Sequence, residues 1–146
     1  MKKIIYFLAL LLSTVGIAEE RPYFFYGDAH TMGGYPMVGV GIRSQKGIHA
    51  FDFSGNICPL NAPGSFNLFQ LKSLYLIYPG QKGFYFGEGL GFLNEPETVK
   101  LSVSAEFAIG YQWKNRIFFE GNATVPFKHI GMFSPVWPGL TLGFGF

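Results

Sequence analysis

The sequence predicts an all-β fold, in which eight antiparallel strands close into an up-and-down barrel that spans a membrane. Three observations support this fold. Apolar residues alternate with small or polar residues in short runs, tight connectors alternate with longer ones along the chain, and charged residues are few. Gly and Pro interrupt the chain too often for long helices. Turn signals separate the runs, as they do between the strands of a sheet.

Eight segments carry a strand-like pattern, in which alternate side chains share one character. The predicted strands cover residues 22–28, 35–43, 47–55, 67–78, 83–93, 100–113, 116–126 and 139–146. The first segment has the weakest pattern. In the sixth, an apolar series from Leu101 to Trp113 alternates with a small or polar series that includes Glu106. That segment is long enough to cross a bilayer when the strand is tilted.

The connectors between these segments are expected to alternate in length. Short connectors occupy residues 44–46, 79–82 and 114–115, and longer ones occupy residues 29–34, 56–66, 94–99 and 127–138. Bacterial outer-membrane barrels have an even number of strands, short periplasmic turns and longer outer loops. If the short connectors are periplasmic, a path of eight strands begins and ends on the periplasmic side, as that architecture requires.

The composition favours walls that face lipid. Charged residues make up 14% of the chain, against roughly 25% in a typical soluble domain. A soluble barrel would carry Lys and Glu on its outer surface. Here most basic residues lie at or beside the short connectors, at Arg43, Lys46, Lys82, Lys114 and Arg116. The low charge indicates walls that face lipid. Because strands can cross hydrocarbon only when every strand edge is paired, the sheet is expected to close into a barrel.

The amino-terminal residues have the pattern of a signal peptide. Lys2 and Lys3 precede a short apolar run, and small residues lead up to Ala18, where we expect cleavage. The run is shorter than the roughly 20 residues that a spanning helix needs. The predicted domains are therefore a signal peptide at residues 1–18 and a β-barrel at residues 19–146. We expect export through the inner membrane to the outer membrane of a Gram-negative bacterium.

The charge of the chain argues against a nucleic-acid-binding protein, and its cysteine content argues against a disulfide-stabilised domain. The chain has 11 Lys and Arg against 9 Asp and Glu, and loss of Lys2 and Lys3 with the leader makes the two totals equal. A nucleic-acid partner is therefore not expected. Cys58 is the single cysteine of the sequence, so an intramolecular disulfide is excluded as a source of stability.

The interior of the barrel is predicted to hold a polar network. Side chains just fill an eight-stranded barrel, so we expect no conducting pore. The inward polar residues include Asp52, Gln70, Lys72, Glu106 and Glu120. Buried carboxylates need partners, and Lys72 is the obvious cation, with Arg43 or Arg116 as further cations at a rim. We interpret this set as a structural network rather than an acid/base site.

The sequence leaves two orientations open for Glu88. This residue shares the parity of Phe86 and Leu90, which would face lipid. A carboxylate there costs about a few kcal/mol near the midplane and less near a rim. A bulge at Gly87 or Gly89 would instead turn Glu88 inward.

No residue set predicts catalysis, a cofactor or a metal ion. The mature His and Cys residues lack the spacing of a metal site; they are His30, His49, Cys58 and His129. Residues 87–91 are rich in glycine, but they lie inside a predicted strand with no helix after it, which does not fit a dinucleotide site.

A hydrolase is one of two alternative functions. Small outer-membrane barrels that deacylate lipid A use a His, a Ser two residues later and a downstream Glu. Here the nearest serine after His129 is Ser134, and no Glu follows, so the spacing fails. We predict a protein without enzymatic activity, with a lipid A-modifying barrel enzyme as the first alternative. The second alternative is a secreted soluble barrel that binds a ligand inside.

The last strand-like segment carries the strongest resemblance to known proteins. Leu142, Phe144 and Phe146 share one parity, and Gly143 and Gly145 share the other. Such an end resembles the closing strand of outer-membrane β-barrels, whose last residue is very often Phe. The resemblance implies that the three apolar residues form an assembly signal. It also implies three kinds of partner: the barrel-assembly machinery, periplasmic chaperones and outer-membrane lipids.

In size and layout, the mature chain resembles the small barrels of the outer-membrane protein A and X type. That resemblance implies a structural or surface-interaction role, with the outer loops as the contact surface and no identified loop partner. We expect the closing segment to pair with the seventh and first segments. Its Gly143 and Gly145 are expected to be interior positions into which bulkier side chains of other strands intrude.

Overall fold

Eight strands make up most of the part of the chain that the structure describes. The computed structural model describes residues 23–59, 68–79, 83–95, 98–113, 116–127 and 136–146. The strands are β1 (Tyr23–Met32), β2 (Tyr35–Lys46), β3 (His49–Ile57), β4 (Phe69–Ile77), β5 (Phe84–Glu95), β6 (Thr98–Gln112), β7 (Ile117–Pro126) and β8 (Trp137–Gly145). No helix in these ranges is long and apolar enough to cross a membrane. The predicted signal peptide lies outside the described residues.

The strands follow one another around a closed antiparallel barrel. Each strand pairs with the next in sequence, and β1 also pairs with β8, from Tyr26 opposite Gly145 to His30 opposite Thr141. Beyond this register, the Phe146 N–H donates to the carbonyl of Phe25 over 2.8 Å. The all-β class, the strand number, the up-and-down order and the neighbours of the last strand are therefore confirmed.

The barrel has two different ends. The terminus end is where β1 begins and β8 ends, and it carries the connectors at residues 47–48, 78–83 and 113–116. The loop end is opposite and carries the connectors at residues 33–34, 58–68, 96–97 and 127–136. Two of the loop-end connectors are long, and two contain only two residues.

The long connector predicted at residues 29–34 is therefore wrong. β1 continues to Met32, which pairs with Tyr35, and the turn consists of Gly33 and Gly34 with φ values of 58° and 91°. Glycine adopts such values at little cost, and they match the twist of a two-residue hairpin. Polar residues such as His30 read as a loop in the sequence, but they continue the strand because they face a polar interior.

The long connector predicted at residues 94–99 is wrong for a similar reason. β5 continues to Glu95, which pairs with Thr98 across a register shift that follows Asn94. Strand pairing thus extends beyond the last clear alternation of apolar and polar residues. The predicted long connectors at residues 56–66 and 127–138 correspond to the two long loop-end connectors.

Side chains alternate between a buried interior and an exposed outer wall along the strands. In β1, for example, even-numbered residues from Phe24 to Met32 are buried, and most odd-numbered residues are exposed. The exposed residues of the outer wall include Phe25, Val40, Phe51, Phe53, Ile57, Phe86, Leu101, Phe107, Ile109, Leu140 and Phe144. Most buried side chains near the middle of the barrel are polar. The distribution is the reverse of that in a soluble protein, where large apolar side chains are mostly inside.

Glu88 lies on this outer wall and is exposed. It pairs with Tyr75 of β4 and Phe107 of β6, and the register is continuous through Gly87 and Gly89 on both sides. No bulge therefore turns the carboxyl group inward in this part of β5, which decides between the two orientations that the sequence leaves open.

Apolar layers fill the interior toward both ends. At the loop end, a cluster contains Met32, Met37, Cys58, Leu68, Leu93 and Trp137. Toward the terminus end, Phe24, Tyr26 and Phe118 form one cluster, and a second includes Leu76, Tyr78 and Tyr85. The charged side chains of the interior lie between or beside these layers, so little bulk water can reach them.

Two glycines of β8 give space to aromatic rings of the neighbouring strands. A Cβ atom on Gly143 would overlap the ring of Phe118, which extends from β7. A Cβ atom on Gly145 would lie 2.6 Å from the ring of Phe24, which extends from β1. The predicted role of these glycines as interior positions filled by bulkier neighbours is confirmed.

We expect Gly143→Ala to destabilise the barrel by about 1–3 kcal/mol, because an added methyl group overpacks a filled core. Gly27→Ala is the matched control, since its Cβ would have no neighbour nearer than the Gly39 carbonyl at 3.9 Å. The measurement is the free energy of unfolding in urea of the barrel refolded in lipid vesicles. Equal stability of the two variants would contradict this packing.

A buried polar network as the candidate functional site

Arg43 is the centre of the largest buried polar cluster. It lies near the terminus end of β2, and only 1% of its surface is exposed. Its Nε donates to Asp52 Oδ2 over 2.7 Å, and Asp52 is its direct partner in the β2–β3 register. Its Nη2 lies 3.6 Å from Glu120 Oε2 on the other side of the barrel. One guanidinium thus neutralises two carboxylates on different strands, which is the kind of planar, forked contact that Arg makes well.

Aromatic rings surround the same guanidinium. Its Cζ lies 4.2 Å from the ring centroid of Phe118 and 4.8 Å from that of Tyr85. The ring of Tyr26 is at 5.8 Å. These distances are within the range of a cation–π attraction, which is strongest where water is excluded. The rings therefore stabilise the charge and also separate it from the barrel ends.

Tyrosine hydroxyls complete the hydrogen bonding of the two carboxylates. Tyr26 donates to Asp52 Oδ1 over 2.6 Å, and Tyr85 donates to Glu120 Oε2 over 2.8 Å. Asp52 thus accepts from a neutral donor as well as from Arg43, whereas Glu120 accepts from a neutral donor and lies only in ion-pair contact with Arg43. A buried ion pair stabilises a fold only when its remaining hydrogen-bonding capacity is also used, and here Tyr26, Tyr85 and Lys72, on three different strands, provide it.

A second layer of bonds joins Arg43 to the terminus end. Its Nη1 donates to Gln112 Oε1 over 3.0 Å, and the same oxygen accepts from the Tyr78 hydroxyl over 2.9 Å. Gln112 is the last residue of β6, and Tyr78 follows the end of β4. Arg43 on β2 therefore contacts residues at the ends of β4 and β6, which are distant from it in sequence.

Lys72 is the second buried cation, and it extends the network toward the loop end. Its Nζ lies 3.5 Å from Glu120 Oε1, so Glu120 is shared between Lys72 and Arg43. This distance is longer than that of the Arg43–Asp52 bond, and a single contact at this length is a weaker constraint.

Glu106 belongs to a separate cluster held by neutral donors. Its Oε1 accepts from Ser104 Oγ over 2.6 Å and from Gln70 Nε2 over 3.1 Å. Its Oε2 accepts from Thr124 Oγ1 over 2.7 Å. No Lys or Arg of the described chain lies within ion-pair distance of this carboxyl group, so hydrogen bonds rather than an ion pair hold it.

A third group of polar residues is only partly paired. His30 Nδ1 lies 2.9 Å from Asp28 Oδ1, and the Asn56 amide donates a long bond of 3.5 Å to Ser54. Asp28 Oδ2, His30 Nε2 and Asn56 Oδ1 are buried and have no hydrogen-bond partner. Each unpaired group costs about 1–3 kcal/mol, so this part of the interior is less favourable than the cluster around Arg43.

The structure places all of the predicted network residues inside the barrel, but not in one cluster. Asp52, Lys72 and Glu120 join through Arg43, whereas Glu106 and Gln70 form their own group. The buried charges of the described chain comprise four carboxylates and two cations, with a histidine beside one carboxylate. Arg116, the other cation considered in the sequence, instead lies over the ring of Phe24 at 5.6 Å.

Arg43 was expected to reach the buried carboxylates from a rim; it does pair with Asp52 and Glu120, but it is buried rather than at a rim. Arg43 has the same parity as Met37 and Gly39, which face the interior side of β2. This parity predicts an interior position for Arg43, whereas its place beside the predicted turn at residues 44–46 suggested a rim. The roles of Tyr26 and Tyr85 were missed as well, because an aromatic residue in a strand shows no preference for the interior unless its hydroxyl finds a partner.

Candidate chemistry other than structural pairing finds no support in the described ranges. They contain no group of three or more His, Cys, Asp or Glu side chains that could hold a metal ion. His129 and Ser134, the pair considered for hydrolysis, lie outside them. Cys58 is buried in the apolar layer at the loop end.

Comparison with known proteins gives no match. No protein-family model matches the chain, and neither the curated proteins nor the solved structures include a match to it. The functional assignment therefore depends on the barrel and its polar network alone.

We expect Arg43→Met to cost about 3–5 kcal/mol of unfolding free energy, because it leaves Asp52 as a buried carboxylate without its cation and Glu120 with Lys72 as its only cation among the described residues. Lys72→Met removes one longer contact and should cost less. Both free energies can be measured by urea unfolding in lipid vesicles. If Lys72→Met were the more damaging change, Arg43 would not be the centre of the network. In the double variant Arg43→Met/Asp52→Leu, part of the lost stability should return.

Proposed function

We propose that this protein is a non-enzymatic β-barrel of the outer membrane of a Gram-negative bacterium, with a structural or surface-interaction role. In layout it resembles the small barrels of the outer-membrane protein A and X type. The observation that carries the proposal is the distribution of side chains: large apolar residues cover the outer wall, and charged residues lie inside. That distribution suits a barrel whose surroundings are hydrocarbon.

The energetics support the same location. In water, an exposed wall of this kind would lose about 25 cal/mol for each Å² of apolar surface left unburied, and large apolar patches promote aggregation. In lipid, that surface is in a favourable environment. The closed ladder of backbone hydrogen bonds leaves no strand edge in contact with hydrocarbon, as a membrane requires.

The connectors are consistent with one orientation. The terminus end would face the periplasm, and the two long connectors at residues 58–68 and 127–136 would lie on the outside. Loops of this kind commonly carry the contacts of a rigid scaffold. The proposed partners are outer-membrane lipids, the barrel-assembly machinery and periplasmic chaperones, with a surface partner for the loops still to be identified.

A soluble ligand-binding barrel fits the structure less well. Such a barrel would place its apolar parity around a ligand in the interior. Here the interior positions are occupied by Arg43, Lys72 and four carboxylates, and most of these groups are already paired with one another. The polar interior therefore disfavours an apolar ligand.

A lipid-modifying enzyme also receives little support from the described residues. His30 contacts Asp28, and His49 contacts Tyr75. A hydrolase of the considered kind needs a histidine beside a serine nucleophile. We therefore place the acyl-hydrolase function second.

Fractionation tests the location. We expect the mature protein to stay with the membrane pellet after a carbonate wash and to migrate faster on a gel before heating than after it, because a closed barrel resists unfolding by detergent. Recovery in the soluble extract without detergent would contradict the proposal. Release of acyl chains from lipid A by the purified barrel would show the enzymatic alternative, and swelling of liposomes would show conduction.

The proposed assembly signal, formed by Phe146, Phe144 and Leu142, can be tested by substitution. The Phe146 ring is 75% exposed, and its backbone bond to Phe25 would survive in Phe146→Ala. We therefore expect this variant to retain the stability of the refolded barrel but to insert poorly in cells. Phe119→Ala is the control, since its ring is also exposed on the outer wall. Normal insertion of Phe146→Ala would contradict the role of this residue as a signal.

A further inference from the structure

We propose that a second copy of this chain docks against the outer wall of β4 and β5, with Glu88 and Ser73 at the centre of the contact. This inference rests on the proposed membrane location, because only a wall that faces lipid gives Glu88 its significance. The two copies would be related by a two-fold axis along the membrane normal, the commonest symmetry of protein dimers.

Glu88 is the unusual residue of the outer wall. It lies near the middle of β5 (Phe84–Glu95), between the exposed side chains of Phe86 and Leu90. In the described chain, no cation or hydrogen-bond donor contacts its carboxyl group. An ionisable group inside a membrane is costly, and such residues usually face a partner rather than lipid.

The cross-strand neighbour of Glu88 on β4 is already hydrogen-bonded to another residue. Tyr75 is the direct partner of Glu88 in the β4–β5 register, but its hydroxyl bonds to Nδ1 of His49 instead. The two rings are also stacked, with centroids 5.8 Å apart and an angle of 17° between their planes. The Tyr75 hydroxyl is therefore engaged with His49 and makes no hydrogen bond to Glu88.

Ser73 adds a free hydroxyl beside the carboxyl group. It is the middle residue of β4 (Phe69–Ile77), lies on the outer wall, and pairs with Leu90, two residues beyond Glu88. Its hydroxyl makes no hydrogen bond in the described chain. An acceptor and a donor thus lie on adjacent strands, offset by two residues in the register, each without a partner.

Elsewhere, the described polar residues of the outer wall lie near the barrel ends. Thr31 is next to the loop-end turn of β1, and Ser44 and Lys46 are at the terminus end of β2. Near the strand middles, the described outward residues are apolar or glycine apart from those of β4 and β5. The outer wall of β4 and β5 therefore differs from the rest of the described wall, because it carries polar side chains near the strand middles.

A second copy provides the missing partners. Two barrels inserted in the same direction and related by a two-fold axis along the normal present the same β4–β5 face to each other, so Glu88 of one copy can meet Ser73 of the other. Each Glu88 can then accept a hydrogen bond from Ser73 of the second copy, and the contact is made twice. Apolar side chains around the pair would pack against their equivalents; they are Phe53, Leu71, Phe86, Leu90 and Phe107. The donor–acceptor match favours a second copy over an unrelated protein.

The dimer can be tested with purified protein in lipid vesicles over a range of protein-to-lipid ratios. We expect Glu88→Leu and Ser73→Ala each to weaken the dimer by about tenfold, since each removes two symmetric hydrogen bonds of modest strength in a membrane. Glu88→Gln should keep the dimer, because its amide oxygen accepts the same bond. Leu140→Ala, on β8, is the control and should have no effect. A wild-type protein that inserts but stays monomeric at every ratio would overturn the proposal.

Crosslinking locates the interface independently of Glu88. Leu90→Cys lies within the proposed contact, and Leu142→Cys lies on β8, on the other side of the barrel; Cys58 is buried and serves as the background in the wild type. We expect a disulfide-linked dimer from Leu90→Cys alone. Equal crosslinking at both positions, or a crosslink in native membranes to a different protein only, would overturn it. Retained heat-dependent mobility in every variant separates failure of the dimer from failure of the membrane proposal.

Discussion

The pairing of β1 with β8 is the constraint on which the rest of the structure depends. It converts a sheet with two open edges into a ring, so each of the eight described strands is hydrogen-bonded to a neighbour on both sides. It also fixes the width of the ring, and eight strands leave room inside for side chains and little else. Polar side chains that face inward must then find partners among themselves. The composition of the interior follows from the closure, as does the freedom of the outer wall to be apolar.

Within that narrow space, the charges are not distributed evenly. Arg43 contacts groups from several strands, and the rings beside it exclude water. Glu106 relies on neutral donors, and Asp28, His30 and Asn56 each keep one unpaired atom. Buried ion pairs often contribute less to stability than apolar packing of the same volume, but they specify one arrangement strongly when their geometry is good. The bond between Arg43 and Asp52, which lie directly opposite each other on β2 and β3, fits the observed register of those two strands.

The barrel itself could be predicted from alternation and turn residues, because closure imposes a period of two on nearly every strand. Gly143 and Gly145 were predictable for the same reason. Arg43 was misplaced because its position near a turn suggested a rim, although its parity indicated the interior. The hairpin at Gly33 and Gly34 was missed because inward polar residues resemble a loop. Glu88 could not be decided, since a bulge is a local backbone choice that composition does not record.

The glycine spaces of β8 have a consequence for the order of assembly. Phe24 belongs to the first strand that is synthesised, yet the space that receives its ring is at Gly145, in the last strand. Until the two ends of the chain meet, that ring has no native surroundings, however many intermediate hairpins have formed. The contact between Phe24 and Gly145 can form only after the loop between them, which is nearly the whole described chain, has closed at a cost in entropy. The native packing of the Phe24 ring therefore depends on the contact between β1 and β8, the most distant strands in sequence.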